Sequence, residues 1–116
     1  MKKAHDFQKI YLYREPVDMR KQINALAELV EDQMQQDLFA NSLFLFCNRR
    51  KDIFKAIYFD KAGFCLWMKK LDQDRFPWFK SPQATQIKIT SEDFNLLIDG
   101  VDVFKRHNKL DFGSYS

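Results

Sequence analysis

Three short apolar runs, packed between Ser42 and Leu71, constrain this chain more than any other feature. They are Leu43–Cys47, Ile53–Phe59 and Phe64–Met68, separated by Asn48-Arg49-Arg50-Lys51-Asp52 and by Asp60-Lys61-Ala62-Gly63. Runs this short, rich in Phe, Ile, Tyr and Trp and bounded by turn residues, read as strands rather than helices. The simplest object they make is a three-stranded antiparallel meander. With Asn48 paired to Asp52 and Asp60 to Gly63, side-chain alternation places Leu43, Leu45, Cys47, Ile53, Ile57, Phe59, Phe64, Leu66 and Met68 on one face. That face is aliphatic, with Lys55 as its polar intruder. The other face carries Phe44, Phe46, Phe54, Ala56, Tyr58, Cys65 and Trp67, flanked by Asp52 and Lys69. A slip of one residue in the pairing would exchange the two sets.

The remaining segments supply a fourth strand, two helices and a fifth strand. Lys9–Arg14 alternates Ile10 and Leu12 with Tyr11 and Tyr13, which suits a strand joining the sheet, and Glu15-Pro16 stops it. Asp18 then serves as N-cap for a helix over Met19–Gln35. Its stripe of Ile23, Leu26, Ala27, Val30 and Met34 is the natural cover for the aliphatic face. Asp37–Asn41 connects to the meander, with Leu38 and Phe39 against the core. The Pro- and aromatic-rich stretch from Asp72 to Pro82 is a packed loop, its Trp78 and Phe79 turned onto the aromatic face. Gln86–Ile89 is a short strand, and Thr90 caps a second helix built on Phe94, Leu97 and Ile98 and ended by Gly100. Residues 1–7 read as a frayed terminus. The expected fold is α+β: a mainly antiparallel sheet built on the meander, one long helix packed on one face and a short C-terminal helix. It is a single domain, 1–116, with an ordered core over about 8–104 and a flexible tail at 105–116.

Charge separates the middle of the chain from its ends. Residues 43–80 hold 9 basic and 4 acidic side chains, whereas residues 1–42 hold 6 and 7, and residues 81–116 hold 4 and 5. A net charge of +3 is too small to indicate nucleic-acid binding by itself; its concentration on the meander is the informative part. No run reaches the ~18 apolar residues of a membrane span, and MKKAHDFQK has no apolar core for a signal peptide. Two cysteines, Cys47 and Cys65, fit a reduced, cytoplasmic protein, and in the register above they point to opposite faces.

Reactive groups are scarce. The two histidines, His5 and His107, lie near the ends, leaving no histidine general base in the body of the chain. Cys47 and Cys65 sit inside apolar runs, where a thiol is inert. No CxxC, HxxxH, P-loop or GxGxxG pattern occurs, and no cofactor or metal is expected. The one enzymatic alternative is a small metal-dependent nuclease using Asp60, Asp72 and Asp74. The stronger candidate is the Asn48–Asp52 turn, whose Arg49, Arg50 and Lys51 project from a hairpin tip as phosphate contacts require. Lys55, Lys69, Lys70 and Arg75 lie nearby in the assumed register, and aromatics of the same sheet offer stacking surfaces for bases. Arg20 and Lys21, in a first helical turn, oppose the helix dipole unless an anion or a carboxylate docks there.

These stretches together resemble a known family. Val17-Asp18-Met19-Arg20-Lys21 with Leu26-Ala27 and Leu29-Val30 is similar to its opening helix. Leu43-Phe44-Leu45-Phe46, Asn48-Arg49-Arg50, Lys55, Asp60, Gly63-Phe64-Cys65-Leu66, Lys69-Lys70-Leu71, Arg75-Phe76 and Trp78 resemble its central block. Leu96-Leu97, Gly100 and Asp102 resemble its closing helix. The family is the TnpB accessory protein of insertion sequence sixty-six transposons, and the likeness covers residues 8–104. It departs at Ala25 and Asp74, where glycine is common, and in its longer polar tail. The resemblance implies a bacterial protein encoded beside a DDE-type transposase and a helix-turn-helix protein, needed for efficient transposition and not itself the recombinase. It also implies that no catalytic residue can be carried over. The expectation is a non-enzymatic accessory factor in DNA recombination, with the transposase and companion proteins of its element, and DNA, as partners. It would bind through Arg49, Arg50, Lys51, Lys55, Lys69, Lys70, Arg75, Arg20 and Lys21, with no membrane contact. The alternative is a pure protein-interaction module, and the aromatic sheet face is also the expected surface for any homo-oligomer.

Overall fold

A computed structural model of the chain describes residues 3–104; the tail read at 105–116 lies outside them. Five strands form one mixed sheet: β1 (Lys9–Tyr13), β2 (Ser42–Cys47), β3 (Ile53–Asp60), β4 (Gly63–Lys70) and β5 (Gln86–Ile89), in the order β4-β3-β2-β1-β5. β2, β3 and β4 pair antiparallel in sequence order, and β5 pairs antiparallel with β1. β1 and β2, however, are parallel, with Ile10 beside Leu43 and Leu12 beside Leu45. The sheet is therefore not antiparallel throughout. A parallel pair needs a crossover, and α1 (Ile23–Asp32) supplies it. Such a pair is covered on both sides, and every residue of β2 is buried.

The expected division into an aliphatic and an aromatic face does not hold, and the first turn explains why. Asn48 closes the hairpin against Ile53, not Asp52: its N–H donates to the Ile53 carbonyl at 3.1 Å, and Cys47 faces Phe54. The Asn48 side chain makes this register specific. Its Oδ1 accepts from the N–H groups of Asp52 and Ile53, both at 3.1 Å, while Nδ2 donates to the Asp52 carboxylate at 2.6 Å. Lys51 takes up the extra loop residue in the left-handed region, φ 63°. At the second turn Asp60 faces Gly63. The slip turns β2 over relative to β3 and β4, so each face mixes aliphatic and aromatic residues.

One layer joins Tyr11, Tyr13, Phe44, Phe46 and Ile57 to Leu26 and Val30 of α1, with Met34 and Leu38. α1 thus covers a largely aromatic surface, and it is shorter than predicted at both ends. Residues 18–21 form a turn in which the Lys21 N–H meets the Asp18 carbonyl at 3.0 Å, and Gln35 leaves the helix at φ 54°. The other layer joins Ile10, Leu12, Leu45, Phe54 and Tyr58 to Phe76, Trp78, Phe79 and α2 (Ser91–Ile98), through Phe94 and Leu97. The Trp78 indole donates to the Tyr13 carbonyl at 2.9 Å. Of the segment read as frayed, the described residues 3–7 are packed: Ala4 and Phe7 are buried, and Phe7 packs edge-on against Tyr58 at 5.1 Å. Cys47 and Cys65 belong to this same layer rather than to opposite faces, both as free thiols. Phe39, read as a core residue, is 63% exposed. Burying each Phe or Leu contributes about 1.5–3 kcal/mol, so both layers matter to stability, and among the described residues only β4 keeps a large apolar residue exposed on the sheet, Met68 at 54%.

Candidate nucleic-acid interface

The topology sends one end of every strand to the same rim. β1 and β2 finish there, β3 starts there, β4 finishes there and β5 starts there. The rim therefore gathers Arg14, the turn 48–52, Lys70 and the loops 71–76 and 80–85. Backbone bonds tie these pieces together. The Phe76 N–H donates to the Lys51 carbonyl at 2.6 Å, Leu71 to Asp52 at 2.7 Å, Val17 to Cys47 at 2.9 Å and Arg14 to Thr85 at 2.9 Å. The guanidinium of Arg75 reaches the Arg50 carbonyl at 3.2 Å. Two clefts flank the turn. Arg49 and Arg50 line one of about 420 Å³ with Pro16 and Asp18. Arg14, Lys51, Arg75 and Lys80 line the other, of about 590 Å³, above Pro77 and Trp78.

Of the cations read from the sequence, Arg49, Arg50, Lys51, Lys70 and Arg75 come together here. Arg49 is exposed and, among the described residues, has no hydrogen-bond or ion-pair partner. Arg50 stands 3.9 Å from the carboxylate of Asp52, a loose pair on an exposed arginine. The Asn48 hydrogen bond, helped by Arg50 and Lys70, holds the Asp52 carboxyl below its ordinary range. Arg14 and Lys80 belong to the same rim and were not singled out in the sequence. Arg14 could have been found at the end of the Lys9–Arg14 run, and Lys80 in the charge excess of the middle segment.

Two other expected contacts are taken up by the fold. Lys55 is buried at 4% exposure, and its Nζ donates to the carbonyls of Met19 at 2.7 Å and Lys21 at 2.8 Å. Its ammonium pins the segment before α1 to the sheet and cannot reach a ligand. Lys69 Nζ donates to the Ile98 carbonyl at 2.6 Å, at the C-terminus of α2, where the helix dipole favours a cation. Arg20 and Lys21 precede α1, which starts at Ile23, so neither lies in its first turn. Arg20 instead clasps Asp18 through Nε at 3.0 Å and Nη2 at 2.6 Å, which lowers the Asp18 carboxyl to about 2. Lys21 is exposed.

The aromatic stacking surface is also absent as drawn. Phe44 and Phe46 are 0% exposed and Phe54 1%, so none can receive a base. The acid trio does not assemble either. Asp60 lies at the opposite end of β4 from Asp72 and Asp74, on the order of 25 Å away at ~3.3 Å per strand residue. Among the described residues no three His, Cys, Asp or Glu side chains gather so as to hold a metal ion. Burial pushes the Cys47 thiol up to about 12, which leaves it unreactive. Among the described residues no helix is long and apolar enough to cross a membrane.

Comparison with known proteins gives the same family that the motif series resembles. Residues 8–108 match the family described as IS66 Orf2 like protein. The chain belongs to that family. Two proteins of Sinorhizobium fredii are similar to it along most of their length. The uncharacterized protein y4jC is 31% identical over 94 residues, 81% of this chain and 80% of that one. The uncharacterized protein y4hO is 33% identical over 85 residues, 73% of each. No solved structure matches. The IS66 Orf2-like proteins are transposition-associated accessory proteins of an insertion sequence.

Proposed function

We propose that this IS66 Orf2-like protein is a non-enzymatic transposition factor that binds DNA through the rim around the Asn48–Asp52 turn. Arg49, Arg50, Lys51, Lys70, Arg75 and Lys80 make the contact surface, and Lys55, Lys69, Arg20 and Arg14, whose guanidinium is held by the Ser81 and Pro82 carbonyls and by Glu15, keep its supporting segments in place. One observation carries the reading: cations from five separate stretches of chain converge on one end of the sheet, with Arg49 at the tip unpaired among the described residues. A flexible cation on a rigid turn suits a phosphate, because the turn's own bonds leave the charged head free. With the sheet aromatics buried, recognition runs through the phosphate backbone rather than through stacked bases.

Titration of duplex DNA at rising salt tests this. The unaltered protein should show a steep fall of affinity with salt, reflecting counterion release. Arg49→Glu with Arg50→Glu should weaken binding by about tenfold or more and flatten the salt slope by about two contacts, with an unchanged circular dichroism spectrum. The transposase complex offers a second target for the same cations if it presents an acidic surface. DNA binding that is absent or insensitive to the double substitution, with transposase binding that responds to it, would favour that partner.

A further inference from the structure

We infer that β4 is a dimerisation edge, closing against β4 of a second copy of this chain in antiparallel register centred on Leu66. β4 is the outer strand of the sheet, eight residues long, with β3 on one side. In an antiparallel ladder alternate residues exchange both backbone bonds with one neighbour, so about four residues of such a strand turn their N–H and C=O groups outward. Natural edges are blunted by proline, a bulge, short length or charge. β4 has no proline, pairs without interruption from Gly63 to Lys70, and carries charge only at its last two positions.

The occupant follows from the side-chain pattern. A two-fold axis through the strand pair requires a sequence that matches itself when reversed. About Leu66 it does. Phe64 faces Met68 of the second copy, Leu66 faces Leu66, and Met68 faces Phe64, all on one side of the joined sheet. On the other side Cys65 faces Trp67 in both directions. Lys69 falls opposite Gly63, which offers no side chain to crowd it. Phe64, Leu66 and Trp67 are only partly buried, and Met68 is 54% exposed, although all four are large and apolar. The pairing would complete their burial and give a ten-stranded sheet. The two layers already cover the aromatic residues of β2 and β3, so this edge rather than the aromatic face is where a second copy fits.

Sedimentation equilibrium of the full chain should give the mass of a dimer. Met68→Glu, at an exposed position that folding does not need, should weaken association about tenfold or more, the scale of an interfacial hot spot. Hydrogen exchange in the unaltered protein should show alternate β4 amides becoming protected as concentration rises. Three results would overturn the inference: a monomer at all concentrations, a dimer that Met68→Glu leaves intact, or concentration-dependent protection that maps away from β4. Deletion of 105–116 distinguishes the remaining occupant. If only the truncated chain dimerises, the chain's own tail covers the edge and the inference fails.

Discussion

The two hairpin turns at opposite ends of β3 are made from similar residues and do different work. The turn at 48–52 is held by Asn48 from inside, by the backbone of 71–76 from outside, and is backed by Lys55, whose ammonium fixes residues 19–21 beside it. The turn at Asp60–Gly63 has its ladder pairing and the ring contact of Phe59 with Phe64, with no side-chain hydrogen bond among the described residues, and places Lys61 at φ 56°, where a glycine would sit without strain. Both carry cations. Only the first spends polar side chains on making its backbone rigid. A turn that merely reverses the chain needs none of this, so the difference separates a built presentation site from a connection.

The largest effect should come from the support beneath the first turn. Lys55→Met keeps the apolar stem but strips the Met19 and Lys21 carbonyls of their donor. It should cost about 2–3 kcal/mol in urea unfolding, the range for a lost hydrogen bond to a charged group. A loss under half of that would mean that water replaces the ammonium and the segment is not pinned. Next, Asn48→Ala removes three hydrogen bonds from the loop and should cost about 1–2 kcal/mol. It should also loosen the register, seen as faster exchange at Asp52 and Ile53. At the other turn the sign reverses. Lys61→Gly relieves the left-handed conformation and should be neutral to stabilising, by at most about 1 kcal/mol. If it destabilises, a contact made by the Lys61 side chain holds this turn.

The smallest effect is acid sensitivity. Asp52 and Asp18 are both held below the ordinary carboxylate range, by Asn48 and by Arg20. A depressed carboxyl contributes stability above its unfolded value, about 3.9, and loses it as pH falls through the folded value. For Asp18 that window runs from about 3.9 down to about 2. Asp52→Asn should flatten the acid limb of the stability profile. An unchanged limb would place the charge of Asp52 outside the turn's stability.

Strand positions were legible in the chain because short apolar runs between turn residues leave little else to form. The cationic cluster was legible in outline because charge follows composition. The facing of β2 was not, since it depends on whether a loop closes at Asp52 or Ile53, and that choice is made by Asn48's side-chain bonds. Nor could Lys55 and Lys69 be told from Lys70 by sequence. All three are lysines on strands of one meander, and they differ in whether a carbonyl from residues 19–21 or 98 happens to arrive at the ammonium.

The amino-acid sequence alone determined that this chain would hold a three-stranded core with a basic turn, because periodicity and turn chemistry act over a few neighbouring residues. Tertiary structure decided which face each strand buries, which pair runs parallel, and which lysines remain free. Those outcomes depend on hydrogen bonds between residues far apart in the chain, such as Trp78 and Tyr13, 65 positions apart, which no local pattern encodes.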